Sequence, residues 1–213
     1  MSAQTVKKVR CPWCPPGDTL YEIYHDEEWG VPERDGARLF AMLNLEGAQA
    51  GLNWRTILAK REGYYKVFAD FDVQKLTRWS ETKILAALKD ERIVRNRLKV
   101  RGVIRNAKAV QAVFGGDLDA FSDFLWSFVD GVPIQSKAKK FSDIPAETAE
   151  SRSMSKALKK NGFTFVGPTI CYAFMQAVGM VNDHTKECFR YKSVAALAKK
   201  GFIREVRVCG EKG

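Results

Sequence analysis

Five residues near the two ends of the chain have side chains that could bind a metal ion. Cys11 and Cys14 precede His25, and His184 precedes Cys188 by four residues, a spacing that puts both on one face of a helical turn. Structural zinc sites use four nitrogen or sulfur ligands arranged as a tetrahedron. One N-terminal cysteine together with His25, His184 and Cys188 would complete such a site and join the two ends of the chain.

The same residues allow two other interpretations. Cys11-Pro12-Trp13-Cys14 has the C-x-x-C spacing of redox motifs, although no thioredoxin-like βαβ pattern surrounds it. His25 could instead be an ordinary packed or capped histidine. Spacing alone therefore leaves a zinc site, a redox pair and a plain core histidine open.

Glu46 is an acid within an apolar helix face. The apolar residues before it, including Leu39 and Leu43, have helical spacing, and Asp35 could cap the helix. An unpaired buried carboxylate is costly, so its presence favours a functional role. A helix cap or an internal salt bridge is the structural alternative.

The segment LKKNGFTFVGPTIC, residues 158–171, has the pattern of a helix, a tight hairpin and a second helix. Gly162 suits the left-handed position after a helix end, and Gly167 would let a ligand approach the backbone closely. Free N–H groups near Thr169, where the second helix begins, would suit a phosphate, and Lys159 adds positive charge. The pattern resembles a helix-hairpin-helix motif, which holds the duplex backbone without reading sequence. An ordinary corner between two helices is the alternative.

Positive charge is concentrated in three segments. The chain has 35 Lys and Arg against 25 Asp and Glu, a net charge of +10, and residues 89–108, 152–160 and 189–213 are the most basic. Any one segment could be a solvated surface. Three together favour a nucleic acid as partner, since each phosphate contact adds affinity.

The elements that must position these residues are helices. The 213 residues suit a single domain, 1–213, without internal repeats or a low-complexity linker. Alternating patterns typical of strands occur only in short pieces, at 163–166 and 203–208. The fold class is therefore predicted to be all-α, with helices near residues 39–46, 54–68, 76–88, 93–113, 121–128, 154–158 and 169–178.

Composition argues against a membrane or secreted protein. No apolar run approaches 18 residues, and the N-terminal MSAQTVKKVRCPWC lacks the apolar region of a signal peptide. Five cysteines are an odd number, which favours thiols or metal ligands in a reducing cytosol over a disulfide framework. We expect a cytoplasmic monomer without membrane partners.

Five sequence blocks, taken together, resemble the 3-methyladenine DNA glycosylase I family of base excision repair. They are RCPW at 10–13, LYEIYHDEEWGVP at 20–32, LFAMLNLEGAQAGLNW at 39–54, DFLWSFV at 123–129 and SKALKKNGFTFVGPTICYAFMQAVGMVNDH at 155–184. The resemblance covers about residues 10–190 and leaves the basic tail 191–213 unassigned. It implies a helix-hairpin-helix glycosylase that hydrolyses the N-glycosidic bond of 3-methyladenine in double-stranded alkylated DNA. The free base would be released and an abasic site left.

The resemblance also implies roles for individual residues. The zinc ligands of the family fall on Cys11, His25, His184 and Cys188, and the metal would be structural, one Zn²⁺ per chain. Cys14 is an extra thiol close to that set.

The base pocket of the family falls on Glu46, with Tyr21, Tyr24 and Trp54 as aromatic walls and Trp29 as a further pocket residue. Aromatic faces would stack on a flipped base and favour a cationic purine, and the carboxylate of Glu46 would recognise it and assist catalysis.

Departures and neighbouring positions add further expectations. Asn53 replaces the Ser expected before Trp54, and Ala48 replaces a larger or polar residue; both could tune the pocket. Leu52, after a glycine, could fill the gap left by a flipped nucleotide. Asn182 stands where the superfamily places a catalytic Asp, and no Lys replaces or flanks it, which predicts hydrolysis without lyase chemistry.

Two rival functions remain at this stage. A non-catalytic zinc-containing DNA-binding module would explain the charge and the metal ligands but would leave Glu46 and the aromatic residues as core. A thiol redox protein would require a reactive, low-pKa thiolate at Cys11 or Cys14.

Overall fold

Helices make up most of the computed structural model, which describes residues 8–136, 138 and 140–199. The prediction of a mainly helical fold is confirmed. Within the described residues, ten α-helices occur: α1 Thr19–Ile23, α2 Gly36–Gln49, α3 Trp54–Val67, α4 Val73–Thr77, α5 Glu81–Ala87, α6 Arg97–Phe114, α7 Leu118–Trp126, α8 Ala149–Lys160, α9 Pro168–Ala177 and α10 Arg190–Lys199. A π-helical turn, Tyr24–Glu28, follows α1, and 3-10 turns occupy Ala69–Phe71, Ser127–Val129 and Phe141–Asp143.

Two very short strands were not predicted. β1, Ile134–Gln135, pairs in parallel with β2, Val181–Asn182, so that Ile134 lies opposite Val181. Two residues are too few to show the alternation that identifies a strand in a sequence. The pair fastens the segment after α7 to the segment after α9.

Side-chain caps fix where the site-bearing helices begin. Asp35 accepts a hydrogen bond from the Arg38 N–H at the start of α2, and Asn53 accepts one from the Thr56 N–H at the start of α3. Both are favoured N-cap residues. The predicted start of α2 at Asp35 is confirmed, and Asn53 has a structural role in the place where a Ser was expected.

The main hydrophobic core lies between α2, α6, α7 and α9. Its fully buried side chains include Phe40, Phe121, Phe174, Ala107 and Val110, one or more from each of these helices. A second, smaller apolar cluster contains Cys11, Tyr24, Trp29, Leu58, Ala177 and Cys188. This second cluster brings residues from both ends of the described chain together.

Two local predictions were wrong. The long helix begins at Arg97 instead of residue 93, because Asn96 caps it and the two apolar residues predicted to start it precede that cap. The segment from His184 to Cys188 is irregular, with turns at residues 186–187, instead of a helical turn, whereas residues 163–166 form no strand and lie in the hairpin, as predicted. The predicted strand-like piece at 203–208 and the tail beyond residue 199 lie outside the described residues.

None of the helices in the described part of the chain is both long enough and apolar enough to span a bilayer.

Candidate functional site

An open cavity of about 520 Å³ lies between the π-helical turn, the end of α2, the start of α3 and one face of α9. All five predicted pocket residues line it: Tyr21, Tyr24, Trp29, Glu46 and Trp54. The predicted hairpin residue Thr169 also reaches its rim. Asn53, which was expected to tune the pocket, lines it as well. Further lining residues were not predicted: Trp13, Gln49, Phe141, Ile144, Pro145, Ala146, Tyr172, Ala173 and Gln176.

Aromatic rings form one side of this cavity. The Tyr24 and Trp54 ring centroids are 5.5 Å apart, and Trp13 lies 5.6 Å from Tyr21 and 5.0 Å from Trp29. Among the described residues, the indole N–H groups of Trp13 and Trp54 have no hydrogen-bond partner although both are buried. The wall therefore offers ring faces for stacking and two unused donors.

Trp13 is a cavity-lining residue that the sequence could have indicated. It stands two residues after Cys11, in the C-x-x-C string that was considered only for its thiols. Tyr172 and Gln176 lie on α9 with helical spacing, which in the sequence cannot be distinguished from that of core residues.

Glu46 places a buried acid in the cavity wall. The residue is 3% exposed, and within the described structure its Oε2 atom has no hydrogen-bond partner. Burial raises the pKa of Glu46 to about 8, because the charged form has lost its hydration. The salt-bridge alternative is wrong for this residue, since its Oε2 makes no such contact. The Oε2 atom of Glu46 is therefore available for a hydrogen bond with a ligand in the cavity.

Glu46 should make the stability of the free protein depend on pH. Between about pH 5 and pH 8 the unfolded chain has lost the Glu46 proton while the folded chain retains it. Stability should therefore fall as pH rises through this window, by up to about 4 kcal/mol, and level off above it. Urea unfolding of the wild type and Glu46→Gln at pH 5 and pH 8 measures this term.

Other titrating groups, including the cysteines and histidines, are common to both proteins and cancel in that comparison. The Glu46→Gln protein should lack this part of the pH dependence and be the more stable of the two at pH 8. An identical pH dependence in the two proteins would contradict the raised pKa.

Cys11, His25, His184 and Cys188 form a buried cluster. Their ligand atoms all lie within 4.8 Å of one another. The His184 Nδ1 atom is 3.5 Å from Cys11 Sγ and 3.4 Å from Cys188 Sγ, and His25 Nε2 is 3.4 Å from Cys188 Sγ. A tetrahedral ion with bonds of roughly 2.0 Å to nitrogen and 2.3 Å to sulfur separates such ligands by about 3.6 Å. The cluster can therefore hold a metal ion.

Both histidines are oriented by their second ring nitrogen. His25 Nδ1 lies 2.9 Å from an Asp26 carboxylate oxygen, and His184 Nε2 lies 3.0 Å from the Trp29 carbonyl. Burial alone would raise the pKa of Asp26, but hydrogen bonds from Arg10 and His25 lower it to about 2. Contacts of this kind direct the remaining nitrogen at a metal.

The two cluster cysteines differ in acidity. The contact with Cys11 is the main cause that lowers the pKa of Cys188, and the contacts with His184 and His25 lower it further, while the same Cys11–Cys188 contact and burial raise the pKa of Cys11. A lowered pKa favours the thiolate, which is the form of cysteine that binds a metal.

Cys14 lies outside the cluster. It is buried, and burial raises the pKa of its thiol to about 11. A redox motif needs an accessible thiol with a lowered pKa, so the redox interpretation of Cys11 and Cys14 is not supported. Of the two candidates that spacing left open, Cys11 is the one in the cluster.

The Cys11, His25, His184 and Cys188 cluster and the cavity share a wall. Trp29 lines the cavity, its carbonyl contacts His184, and its ring centroid is 4.7 Å from that of His184. Trp13 also lines the cavity and lies 5.3 Å from the His25 ring. The contacts that hold the four cluster residues together therefore also hold the side chains of Trp13 and Trp29 in the cavity wall.

Asn182 and Asp183 face structural partners. Asn182 is fully buried and donates to the Gln135 side chain and the Tyr191 carbonyl. Asp183 accepts hydrogen bonds from the Tyr172 hydroxyl at 2.6 Å and the Gln176 amide at 2.7 Å. Asp183 thus orients two cavity-lining side chains of α9.

The hairpin between α8 and α9 has the predicted shape. Gly162 follows the end of α8 with a φ of +86°, and Gly167 caps α9. A Cβ atom at either glycine would meet no other atom within 4 Å, so both face open space. Lys159 is exposed on the last turn of α8, and Thr169 is exposed in the first turn of α9.

Leu52 projects from the corner between α2 and α3. It is 41% exposed and follows Gly51, whose φ is +75°. Ala48, a predicted modifier of the pocket, instead lies buried against α6, next to Gly102 and Val103, and does not line the cavity.

Comparisons with known proteins identify the family. The sequence profile of the methyladenine glycosylase family matches residues 13–191. DNA-3-methyladenine glycosylase 1 of Escherichia coli strain K12 is 49% identical over 183 residues, which cover 85% of this chain and 96% of that protein.

Solved structures of 3-methyladenine DNA glycosylase I are also similar to this chain. A crystal structure of 3-methyladenine DNA glycosylase I superimposes with a TM-score of 0.82 at 48% identity, covering 85% of this chain and 98% of that one. A variant of 3-methyladenine DNA glycosylase I in complex with 3-methyladenine superimposes with a TM-score of 0.78 at 34% identity, covering 84% and 95%. The profile match and these identities over most of both chains show that the protein belongs to the methyladenine glycosylase family.

Proposed function

We propose that this protein is a base excision repair enzyme that hydrolyses the N-glycosidic bond of 3-methyladenine in alkylated double-stranded DNA. The observation that carries the proposal is the buried carboxyl of Glu46, whose Oε2 has no partner within the described structure, in a cavity walled by aromatic rings. Family membership and the relative solved with 3-methyladenine support the same substrate.

The reaction requires the damaged nucleotide to leave the base stack and enter the cavity. Methylation at N3 gives the base a positive charge, which the ring faces of Tyr24 and Trp54 favour over a neutral purine. A cation beside Glu46 lowers the pKa of that carboxyl and favours its charged form. Glu46 then accepts hydrogen bonds from the base and selects the cationic lesion.

Bond cleavage leaves the electron pair on the base, which departs as neutral 3-methyladenine. The sugar carbon, which becomes positively charged, gains an oxygen from water, and the water loses a proton. The negative charge of Glu46 also favours this cationic transition state. We propose simple hydrolysis without lyase chemistry, since Asn182 is buried in a structural network and no lysine is among the described residues that line the cavity.

DNA is held, in this proposal, by the hairpin and by the corner between α2 and α3. The N–H groups at the start of α9, beside Gly167 and Thr169, bind a backbone phosphate, and Lys159 adds charge. Gly162 allows the chain to reverse direction, and Leu52 fills the gap that the flipped nucleotide leaves.

The metal that the cluster would hold is zinc. Two thiols and two imidazoles in a closed, buried set match the ligands of structural zinc sites, and with four protein ligands no position remains for a reacting water. Bound zinc would supply stability and no chemistry of its own. It would fasten the N-terminal segment, with Trp13, to the segment around His184.

Replacement of Gly167 by valine tests the hairpin. Because its Cβ would point into open space, the variant should keep its melting temperature within a few degrees. Crowding of one charged hydrogen bond to phosphate should weaken binding of duplex DNA about 10- to 100-fold, from roughly 1.5–3 kcal/mol. Fluorescence anisotropy with duplex DNA and calorimetry with free 3-methyladenine measure the two affinities.

Free 3-methyladenine should bind this variant as tightly as it binds the wild type, because the cavity is unchanged. Unaltered affinity for the duplex would contradict the role of the hairpin.

Release of radiolabelled bases from methylated duplex DNA tests the function itself. The wild type should release 3-methyladenine selectively and leave 7-methylguanine in the DNA, and Glu46→Ala should lose this activity. A folded, metal-loaded protein that binds DNA without releasing any base would instead indicate the non-catalytic binding module. We propose further that the protein acts as a monomer in the cytoplasm; sedimentation of the pure protein checks the first point.

A further inference from the structure

Lys99, on α6, contacts the end of α2 in a way that the proposed function has not used. Its ammonium donates hydrogen bonds to the carbonyls of Ala48 at 2.7 Å and Ala50 at 2.6 Å. The last carbonyls of a helix lack partners within the helix and carry its negative dipole end, so a cation is favoured there.

This contact holds a lysine away from the solvent and from acids. Lys99 is half-buried and pairs with no carboxylate in the described part of the chain. Burial lowers the pKa of Lys99, which is the cost of placing an ammonium here. The hydrogen bonds to the two carbonyls offset this cost.

The two carbonyls frame the corner at residues 50–53, which carries Leu52 between Glu46 on α2 and Trp54 on α3. Inside the corner, the backbone is held by hydrogen bonds from Ala50 N–H to the Gly47 carbonyl and from Leu52 N–H to the Gln49 carbonyl. Gly51, with its positive φ, gives the corner its sharp bend. The Lys99 side chain ties this bend to α6.

The same face of α6 also fastens the hairpin. Asn106, seven residues after Lys99, accepts a hydrogen bond from the Thr164 N–H at 2.8 Å and donates to the Thr164 carbonyl at 3.2 Å. Phe165 packs against Gly47 of α2 and Gly102 of α6 so closely that a Cβ at either glycine would come within 2.9 Å of it. One helix face therefore sets the distance between the corner and the hairpin.

We propose that Lys99 is a positioning residue that fixes the corner at residues 50–53, so that Leu52 enters the duplex while the hairpin holds its backbone. The inference rests on the proposed function. Lys99 touches neither the base nor the reacting atoms, and it acts through Leu52.

Lys99→Met, which keeps the length of the side chain and removes its charge, tests the proposal on two substrates. In methylated duplex DNA a flipped base leaves a gap opposite its partner, whereas in the same DNA after denaturation it does not. The variant should release 3-methyladenine from the duplex about 10-fold more slowly than the wild type. Release from single strands and the Kd for free 3-methyladenine should change less than 2-fold.

Lys66→Met is the matched control. Lys66 is exposed near the end of α3, twelve residues after Trp54 and outside the three basic segments, so the variant removes the same charge away from the corner. Its ratio of duplex to single-strand release should equal that of the wild type. Lys99→Arg, which can still donate to carbonyls, should recover most of the duplex activity.

A double variant shows whether Lys99 acts through Leu52. Leu52→Ala combined with Lys99→Met should release base from the duplex no more slowly than Leu52→Ala alone. Additive losses, equal losses on both substrates together with a lower melting temperature, or full duplex activity in Lys99→Met would each overturn the proposal. A wild type inactive on both substrates would instead refute the proposed function and, with it, this role.

Discussion

Glu46→Gln should reduce the release of 3-methyladenine from methylated duplex DNA about 100-fold in kcat/KM. The amide is nearly the same size but cannot carry the negative charge that favours a cationic base. A loss of this size corresponds to about 3 kcal/mol of charge-assisted hydrogen bonding in a dry cavity. Single-turnover release with the variant in excess measures the chemical step without interference from product release.

The control for this experiment is Glu62→Gln, which makes the same change at an exposed position of α3 and should retain wild-type release. Calorimetry should show weaker binding of free 3-methyladenine by Glu46→Gln. Full release together with unchanged binding of the free base would refute the role given to Glu46. The same variant is expected to be more stable than the wild type at pH 8, so lost activity could not be attributed to unfolding.

Cys188→Ala should lose the bound metal and much of the stability of the site. Removal of the Cys188 thiolate leaves three ligands, which should be too few to retain the ion. Without the ion, the free energy of unfolding should fall by several kcal/mol. The N-terminal segment should then separate from the segment around His184, and Trp13 and Trp29 should lose their support in the cavity wall. Elemental analysis should show about one zinc per wild-type chain and little in the variant, with slower base release.

Cys14→Ala is the matched comparison, since Cys14 is as buried as Cys188 but lies in the N-terminal segment outside the cluster. It should retain the metal and most of the activity. Metal loss in Cys14→Ala, or metal retention in Cys188→Ala, would show that the four ligands are misassigned.

A local sequence signal predicted where α2 begins, because the Asp35 side chain caps the backbone that follows it directly. The start of α6 was missed although Asn96 caps it in the same way, because the apolar residues before the cap continue the helical spacing. The metal-binding set also has its ligands paired within short segments. What brings Cys11 to Cys188 is tertiary packing, and the sequence alone left Cys14 as an alternative.

Residues that act across the fold were harder to find. Tyr172 and Gln176 point from α9 into the cavity, but helical spacing gives them the same pattern as core residues. Asn106 and Lys99 bind backbone carbonyls of segments far away in sequence, and such acceptors carry no sequence signature. His184 and Cys188 lie in contact as predicted, but the segment that joins them is not helical. A spacing of four residues does not specify a helix, because other backbone conformations also bring two such side chains together.

The positions of Cys11, His25, His184 and Cys188 along the chain determine when their cluster can form during synthesis. Cys11 and His184 are separated by 173 positions in the chain, and Phe189 donates a backbone hydrogen bond to Val9 beside them. During synthesis the N-terminal residues leave the ribosome first, and their partners arrive only after nearly all the described chain has emerged. The cluster therefore forms only after the segment around His184 has emerged, and a metal ion held there would be bound late in folding.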